Sequence, residues 1–396
     1  MNPGLIQALA EQYKEHTRQL RRYLHQHPEL SCQEYATSAF VAEELEKLGI
    51  PCKRGIAKTG VVGLIEGKNP DSKVVALRGD MDALPIQEEN NTDYRSLNPG
   101  VMHACGHDVH TSCLLGAARI LSETKDQWTG SVKLIFQPSE EKLPGGASTM
   151  IQEGVLNSPT VQAIFGQHVF TPFKVGTVAF CPGKMMASTD EIYITVKGKG
   201  GHAAYPHLIK DPVSTAAQII VALNQIVSRN ISPVEPAVLS IGKVIAHGAT
   251  NVIPDEVHME GTVRAFDEQV RQALLDRLTT TAEGIARATG LEAVVDIRRG
   301  YPALVNDQAL TQRAIDRARH YLGHEHVFIA EPRMGAEDFA FYSQEIPACF
   351  YRLGTGNPDK GITSFIHTPT FDIDEDALPV GTGLMAWNAI QELRQE

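Results

Sequence analysis

The sequence predicts an α/β protein, with a mostly parallel-sheet catalytic domain covered by helices and an inserted α+β ferredoxin-like domain. Three observations predict it. Short runs rich in Val, Ile and Leu alternate with helical periodicity in the first half. That texture gives way to half-buried alternation near Pro182 and Gly183, and it returns after Tyr301 and Pro302. The boundaries follow: residues 1–184 and 301–396 form the two parts of the first domain, and residues 185–300 form the insertion.

The elements run in order. Apolar positions recur at three and four over residues 4–25 and 34–48, reading as helices, with Gly49 closing the second as a C-cap glycine does. Strands follow at Val61 to Ile65, Val74 to Leu77, Val132 to Phe136 and Ala163 to Phe165, with a helical stretch near Leu114 to Leu121. Inside the insertion, strand Glu191 to Val196 leads to helix Pro212 to Val227 and strands Ala237 to Val244 and Glu256 to Ala265. Helix Glu268 to Ala288 and strand Glu292 to Arg298 complete the split β-α-β-β-α-β order of a ferredoxin-like unit. Helix Gln308 to Leu322, strand Ala348 to Leu353 and a helix from Glu375 onward close the chain. No internal repeat or low-complexity tract interrupts this plan.

At 396 residues the chain exceeds what one core organises, which agrees with two domains. A formal charge of -11 argues against a nucleic-acid partner, whose phosphates would call for a basic face. No run approaches the roughly 20 apolar residues of a membrane helix, and the first thirty residues carry charges throughout where a signal peptide would have an apolar stretch, so a cytoplasmic protein without a membrane partner is expected. Six cysteines scattered over the chain do not make a disulfide scaffold.

Four segments carry candidate chemistry. His103-Ala-Cys105-Gly-His107-Asp108 sets a thiol and an imidazole two residues apart, a spacing that suits one transition ion and also suits a buried Cys beside a helix start. Glu140 and Glu141 follow the strand that ends near Phe136, where open α/β sheets build their sites. Adjacent residues there point different ways, so one carboxylate can ligate while the other works as base, although such pairs are also ordinary solvated charge. His168 follows the next strand and His367 lies far downstream. A single histidine is more often structural than ligating; four such segments at successive strand ends point together to a metal site.

These residues lie in motifs that resemble the M20 metallopeptidases along the whole chain, in the branch of aminoacylases, hippurate hydrolases and plant auxin-conjugate hydrolases. The motifs are Arg78-Gly-Asp80-Met-Asp82-Ala-Leu-Pro85, His103 to Asp108, Gln137-Pro-Ser-Glu-Glu141, Gly166-Gln-His168, Gly198-Lys-Gly-Gly-His-Ala203, Asn251-Val-Ile-Pro254, Met334-Gly-Ala-Glu-Asp-Phe339 and His367-Thr-Pro-Thr-Phe371. The resemblance implies that Cys105, His107, Glu141, His168 and His367 hold two divalent ions and that Glu140 is the general base. Many relatives outside this branch carry His-x-Asp where this chain has Asp80-Met81-Asp82, so the usual first ligand is absent at Asp80 and His107 replaces it. Asp82 then orients an imidazole, or is an ordinary aspartate at a strand end. Cys105 stands where those relatives have a bridging aspartate, and zinc, manganese, cobalt and nickel all suit the donors, with manganese or zinc expected first.

The resemblance further implies hydrolysis of the amide bond of an N-acyl-L-amino acid, with a dipeptidase or carboxypeptidase as the nearest alternative. In the family the histidine that matches His202 reaches the substrate carbonyl, often from the other subunit, although the two preceding glycines could simply make a turn with His202 exposed. Asn251 and Arg264 are candidates to hold the substrate carboxylate; Arg264 could equally make a salt bridge. Helix Pro212 to Val227 and its neighbouring strand would pair two copies into a homodimer, and Gly183 and Gly300 would serve as hinges for closure of the inserted lid. Two readings from other classes compete: a cysteine hydrolase using Cys105, and a metal-binding protein without activity.

Overall fold

The computed structural model describes residues 1–394. The chain forms two compact units. The first comprises Met1–Gly183, Val305–Glu331 and the chain from Asp338 onward; the second comprises Lys184–Leu304 and Pro332–Glu337. The run Pro332–Glu337 joins the second unit through its backbone, since the Ala187 amide donates to the Arg333 and Gly335 carbonyls at 3.2 and 3.0 Å.

The first unit is built on an eight-stranded sheet in the order Cys52–Ile56, Gly60–Glu66, Ser131–Gln137, Val74–Asp80, Ala163–Lys174, Ala348–Gly356, Val178–Phe180, Val327–Ile329. The four central strands run parallel; Gly60–Glu66 and Val178–Phe180 join them antiparallel on either side, Cys52–Ile56 pairs antiparallel with the first of these, and Val327–Ile329 pairs parallel with the second. Every residue of Val74–Asp80 and Ser131–Gln137 is buried, as expected of parallel strands covered on both faces. Val75, Leu77, Leu134 and Phe136 supply the apolar part of those runs, and polar Asp80 and Gln137 close them. The apolar runs therefore lock the register that brings the polar ends of neighbouring strands together.

Helices His107–Glu123 and Leu378–Leu393 pack against each other and against the central strands. Helix His107–Glu123 begins seven residues before the apolar stretch that signalled it, because its first turn buries polar His107, Asp108 and His110. The expected helix over 4–25 is two helices, Pro3–Gln12 and Lys14–Gln26, broken at Tyr13, whose φ and ψ are -92° and 2°. There the Tyr13 hydroxyl bonds to Glu123 and the Arg119 guanidinium lies over its ring. Tertiary contact overrides the local period. Strand Cys52–Ile56 had no sequence signal, since Lys53, Arg54 and Gly55 at this sheet edge are exposed.

In the second unit the sheet order is Ala237–Ile245, Glu256–Ala265, Asp190–Lys197, Glu292–Arg299, antiparallel throughout. Helices Pro212–Asn230 and Glu268–Ala288 pack on it and on each other. Its core is its own: Ile192, Ile194 and Val196 from the alternating first strand meet Ile219, Leu223, Leu274 and Leu278 of the helices. Each helix starts at an aspartate, Asp211 or Asp267, whose side chain accepts from the first-turn amides. Arg271 and Asp190 form a buried bidentate pair at 2.6 and 2.8 Å.

Candidate metal centre

The candidate donors collect at the carboxyl ends of the central strands. Cys105, Gly106 and His107 form the turn that enters helix His107–Glu123. Gly106 has φ 81°, and a Cβ there would stand 2.4 Å from Val169, so the turn admits only glycine without displacing its neighbour. His168 lies in strand Ala163–Lys174, and its Nδ1 donates to the Val169 carbonyl at 2.8 Å. That bond places the proton on Nδ1 and leaves Nε2 as the free lone pair. His367 adopts φ 62°, secured by its amide donating to the Ala104 carbonyl at 2.8 Å.

The resulting separations are short. Cys105 Sγ lies 3.4 Å from both His168 Nε2 and His367 Nε2. His367 Nε2 is 3.2 Å and His107 Nε2 is 3.9 Å from Glu141 Oε1. Two compact donor groups result, Cys105 with His107 and His168, and Cys105 with Glu141 and His367, sharing the thiol. His107 Nε2 and Glu141 Oε1 are buried without a hydrogen-bond partner. Buried polar atoms without partners are costly, and here both face ligating neighbours, so the donor set fits divalent cations. His367 is the exposed member, with 48% of its side chain accessible.

The surrounding charges favour a cation. Burial pushes the Cys105 thiol well above its ordinary range, and Glu141, Glu140 and Asp80 push it further. Burial opposes a proton on His107, but Asp80, Asp82 and Glu141 outweigh it and raise the imidazole to about 10. Burial, His110 and Arg352 hold His168 neutral, well below the usual histidine value. A dication would replace the His107 proton and stabilise the Cys105 thiolate.

Asp80 and His110 are also close to His107, yet both are fully engaged. Asp80 accepts from Arg78 and His110, each at 2.5 Å, while His110 Nε2 accepts the Val169 amide at 2.9 Å. Asp82 is the hub beneath the donors. Its Oδ1 contacts His107 Nδ1 at 3.2 Å and accepts the Glu140 amide at 3.0 Å. Its Oδ2 accepts the Glu141 amide at 3.0 Å and the Ser31 hydroxyl at 2.6 Å. One carboxylate thus fixes an imidazole and the backbone of both glutamates. Ser31 carried no signal in the sequence, because a lone serine before Cys32 matches no ligand spacing.

Glu140 is buried beside the donors, and its Oε1 accepts the Asp338 amide at 3.3 Å. The segment bearing it turns back on itself at Gly146, whose amide donates to the Ser139 carbonyl at 3.0 Å. A Cβ at Gly146 would lie 1.8 Å from the Pro138 carbonyl oxygen, so this turn too requires glycine.

His202, Asn251 and Arg264 all belong to the second unit, and they do not meet there. His202 pairs with Val252 in a two-stranded ribbon, and the Asn251 carbonyl accepts the Ala203 amide at 3.0 Å. His202 is exposed, with its Nδ1 accepting the Ala204 amide at 3.1 Å. Arg264 is half-buried near the other end of strand Glu256–Ala265, roughly 27 Å from its start at about 3.4 Å per residue. Burial lowers its guanidinium from the ordinary value while Asp190 raises it.

Residues 76–388 match Peptidase family M20/M25/M40. The chain is 42% identical over 382 residues to N-acetylcysteine deacetylase of Bacillus subtilis, covering 95% of this chain and 97% of that one. It is 41% identical over 376 residues to thermostable carboxypeptidase 2 of Saccharolobus solfataricus, covering 94% of each. The crystal structure of the Bacillus subtilis YXEP protein, a dinuclear metal-binding peptidase of the M20 family, superposes with a TM-score of 0.85 at 38% identity, over 98% of this chain and 100% of that one. Donor geometry and family match converge: the chain belongs to peptidase family M20/M25/M40 and is a metal-dependent amidohydrolase.

Proposed function

We propose that the protein hydrolyses the amide bond of N-acyl-L-amino acids, with Cys105, His107, Glu141, His168 and His367 as ligands of two divalent ions and Glu140 as general base. The observation that carries this reading is the buried carboxylate of Glu140 beside two donor groups that share one thiol. The ions, when bound, supply Lewis acidity toward the carbonyl and the attacking water. Glu140 accepts the proton of that water and returns it to the leaving nitrogen, so one carboxylate serves both halves of the reaction. Asp82 holds His107 and the amides of residues 140 and 141, so the base and its ligating neighbour keep a fixed relation. One thiol, three imidazoles and one carboxylate suit manganese or zinc, with cobalt and nickel as further candidates.

A cysteine hydrolase needs a thiol of lowered pKa. Cys105 has the opposite environment, which favours the metal reading. A carboxypeptidase is the second reading, favoured by the Saccharolobus relative; both reactions cleave an amide beside a terminal amino acid.

The second unit acts in this proposal as a lid and dimerisation domain. Val213 and Val221 on helix Pro212–Asn230 and Val244 on the edge strand Ala237–Ile245 are exposed apolar side chains that a second copy would cover. The distance between His202 and Arg264 within one unit supports a homodimer in which each copy contributes one of them to a substrate carbonyl or carboxylate.

The test is hydrolysis of N-acetyl-L-cysteine, N-benzoylglycine, an indoleacetyl amino acid and an unblocked dipeptide by protein stripped with chelator and reloaded with each metal. Loss on chelation, recovery on reloading and preference for the blocked amino acids support the proposal. Turnover of the dipeptide alone replaces it with the peptidase reading, and turnover without metal removes it.

A further inference from the structure

The segment Gln137 to Ala147 carries both glutamates between a strand and a short helix, and Asp82 grips only its middle. Two other buried carboxylates hold the rest. Glu34 precedes helix Tyr35–Lys47 and is fully buried. Its Oε1 accepts the Ser139 amide at 2.8 Å and the Cys32 amide at 3.0 Å, and its Oε2 accepts the Thr59 hydroxyl at 2.7 Å. Ser139 has φ 55°, a left-handed conformation that residues with a Cβ resist, and it immediately precedes Glu140.

Asp338, also fully buried, grips both ends of the same segment. Its carboxylate accepts from Gln137 Nε2 at 2.8 Å on each oxygen, from the Ala147 amide at 3.0 Å and from Arg78 Nη2 at 2.8 Å. Its own amide donates to Glu140 Oε1. The Asp338 side chain therefore anchors the main chain that touches the base.

We infer that Glu34 and Asp338 are positioning residues for Glu140, which they aim through the backbone of Ser139 and the amide of Asp338. This rests on Glu140 being the base. The direction of a side chain follows from the torsions of the residue before it, so release of Ser139 swings the Glu140 carboxylate. A misplacement of about 1 Å costs on the order of 100-fold in rate.

The experiment uses full-length, manganese-loaded Glu34→Gln and Asp338→Asn. Four readouts are taken: kcat and KM on N-acetyl-L-cysteine, bound metal, thermal unfolding, and amide exchange of a peptide spanning 137–147 in metal-free protein. Each variant is expected to lose about 10- to 100-fold in kcat with KM within about twofold and bound metal unchanged. Exchange over 137–147 should accelerate while that of 131–136 stays the same. Unchanged kcat in a folded variant overturns the inference, as does a rise in KM at constant kcat or a loss of activity that follows loss of metal. The two carboxylates sit in different segments of the chain, so one variant decides if the other does not fold. Should neither fold, Thr59→Val, which frees one oxygen of Glu34, is expected to lower kcat several-fold, and its full activity overturns the inference. Glu140→Gln measured alongside separates the failures. Retained activity there removes the general-base reading, whereas an inactive Glu140→Gln beside fully active clamp variants removes the clamp alone.

Discussion

The two ends of the central sheet both bury ionisable groups, and they treat them oppositely. At the start of strand Val74–Asp80, Lys73, Arg313 and Arg317 surround the Glu392 carboxylate at 2.8 to 3.0 Å. Lys133, early in the next strand, spends all three of its protons on the carbonyls of Val155, Asn157 and Pro159. At the other end of the sheet, His107 Nε2 and Glu141 Oε1 remain buried without a hydrogen-bond partner, inside donor groups sharing Cys105. Burial of charge alone thus does not mark a functional site. What marks this one is a set of converging atoms that the protein leaves unsatisfied, at the end where parallel strands deliver their loops.

Substitutions at the two ends should therefore separate chemistry from stability. The largest effect is expected for Glu140→Gln, a fall in kcat of roughly a thousandfold or more with bound metal unchanged, read by steady-state kinetics and metal analysis. Asp82→Asn should weaken metal binding by about 10- to 100-fold, seen as a rightward shift in reactivation of stripped protein by added metal. A wild-type titration curve from that variant would show that His107 needs no orienting partner.

The opposite end should respond in stability only. Glu392→Gln is expected to cost about 2 kcal/mol, a partly exposed version of breaking a buried pair, with kcat unchanged. Burial pushes the Glu392 carboxyl up, but Arg313, Arg317 and Lys73 outweigh it and hold the group below its ordinary value. Its contribution is then fully present above the unfolded value of about 4.3 and fades as pH falls through the folded one. The gap in Tm between wild type and variant should accordingly narrow on acidification below that point; a constant gap would assign the cost to packing. The smallest effect on the folded chain is expected at Val221, whose side chain is 63% exposed. Val221→Lys should shift stability by less than about 0.5 kcal/mol yet drive a homodimer toward monomer in light scattering. An unchanged mass would remove this helix from the dimer proposal.

Much of this architecture was legible because apolar periodicity reports on packing. Helices Glu268–Ala288 and Gln308–Leu322 begin and end where the spacing predicts. The misses share a cause. Strand Cys52–Ile56 and the first turn of helix His107–Glu123 hold residues whose polarity hides their structural state, one by exposure at an edge and the other by burial around a site. Within the candidate site, the side chains that come together around Cys105 were readable from residue type and motif. The clamp was not: Glu34 and Ser31 lie 105 and 51 residues along the chain from Ser139 and Asp82, and only folding brings them together. Carboxylates that act through backbone amides have no characteristic spacing, since any residue offers an N–H.

One asymmetry remains to be drawn out. Cys105, His107 and His168 are buried at the carboxyl ends of the central strands, while His367 stands at the surface on a backbone hooked to Ala104. With the proposed ligands, the centre would be open on the side of His367. Ions would then exchange with the medium past that imidazole, and the protein's metal content should follow supply in its surroundings rather than be sealed in at folding.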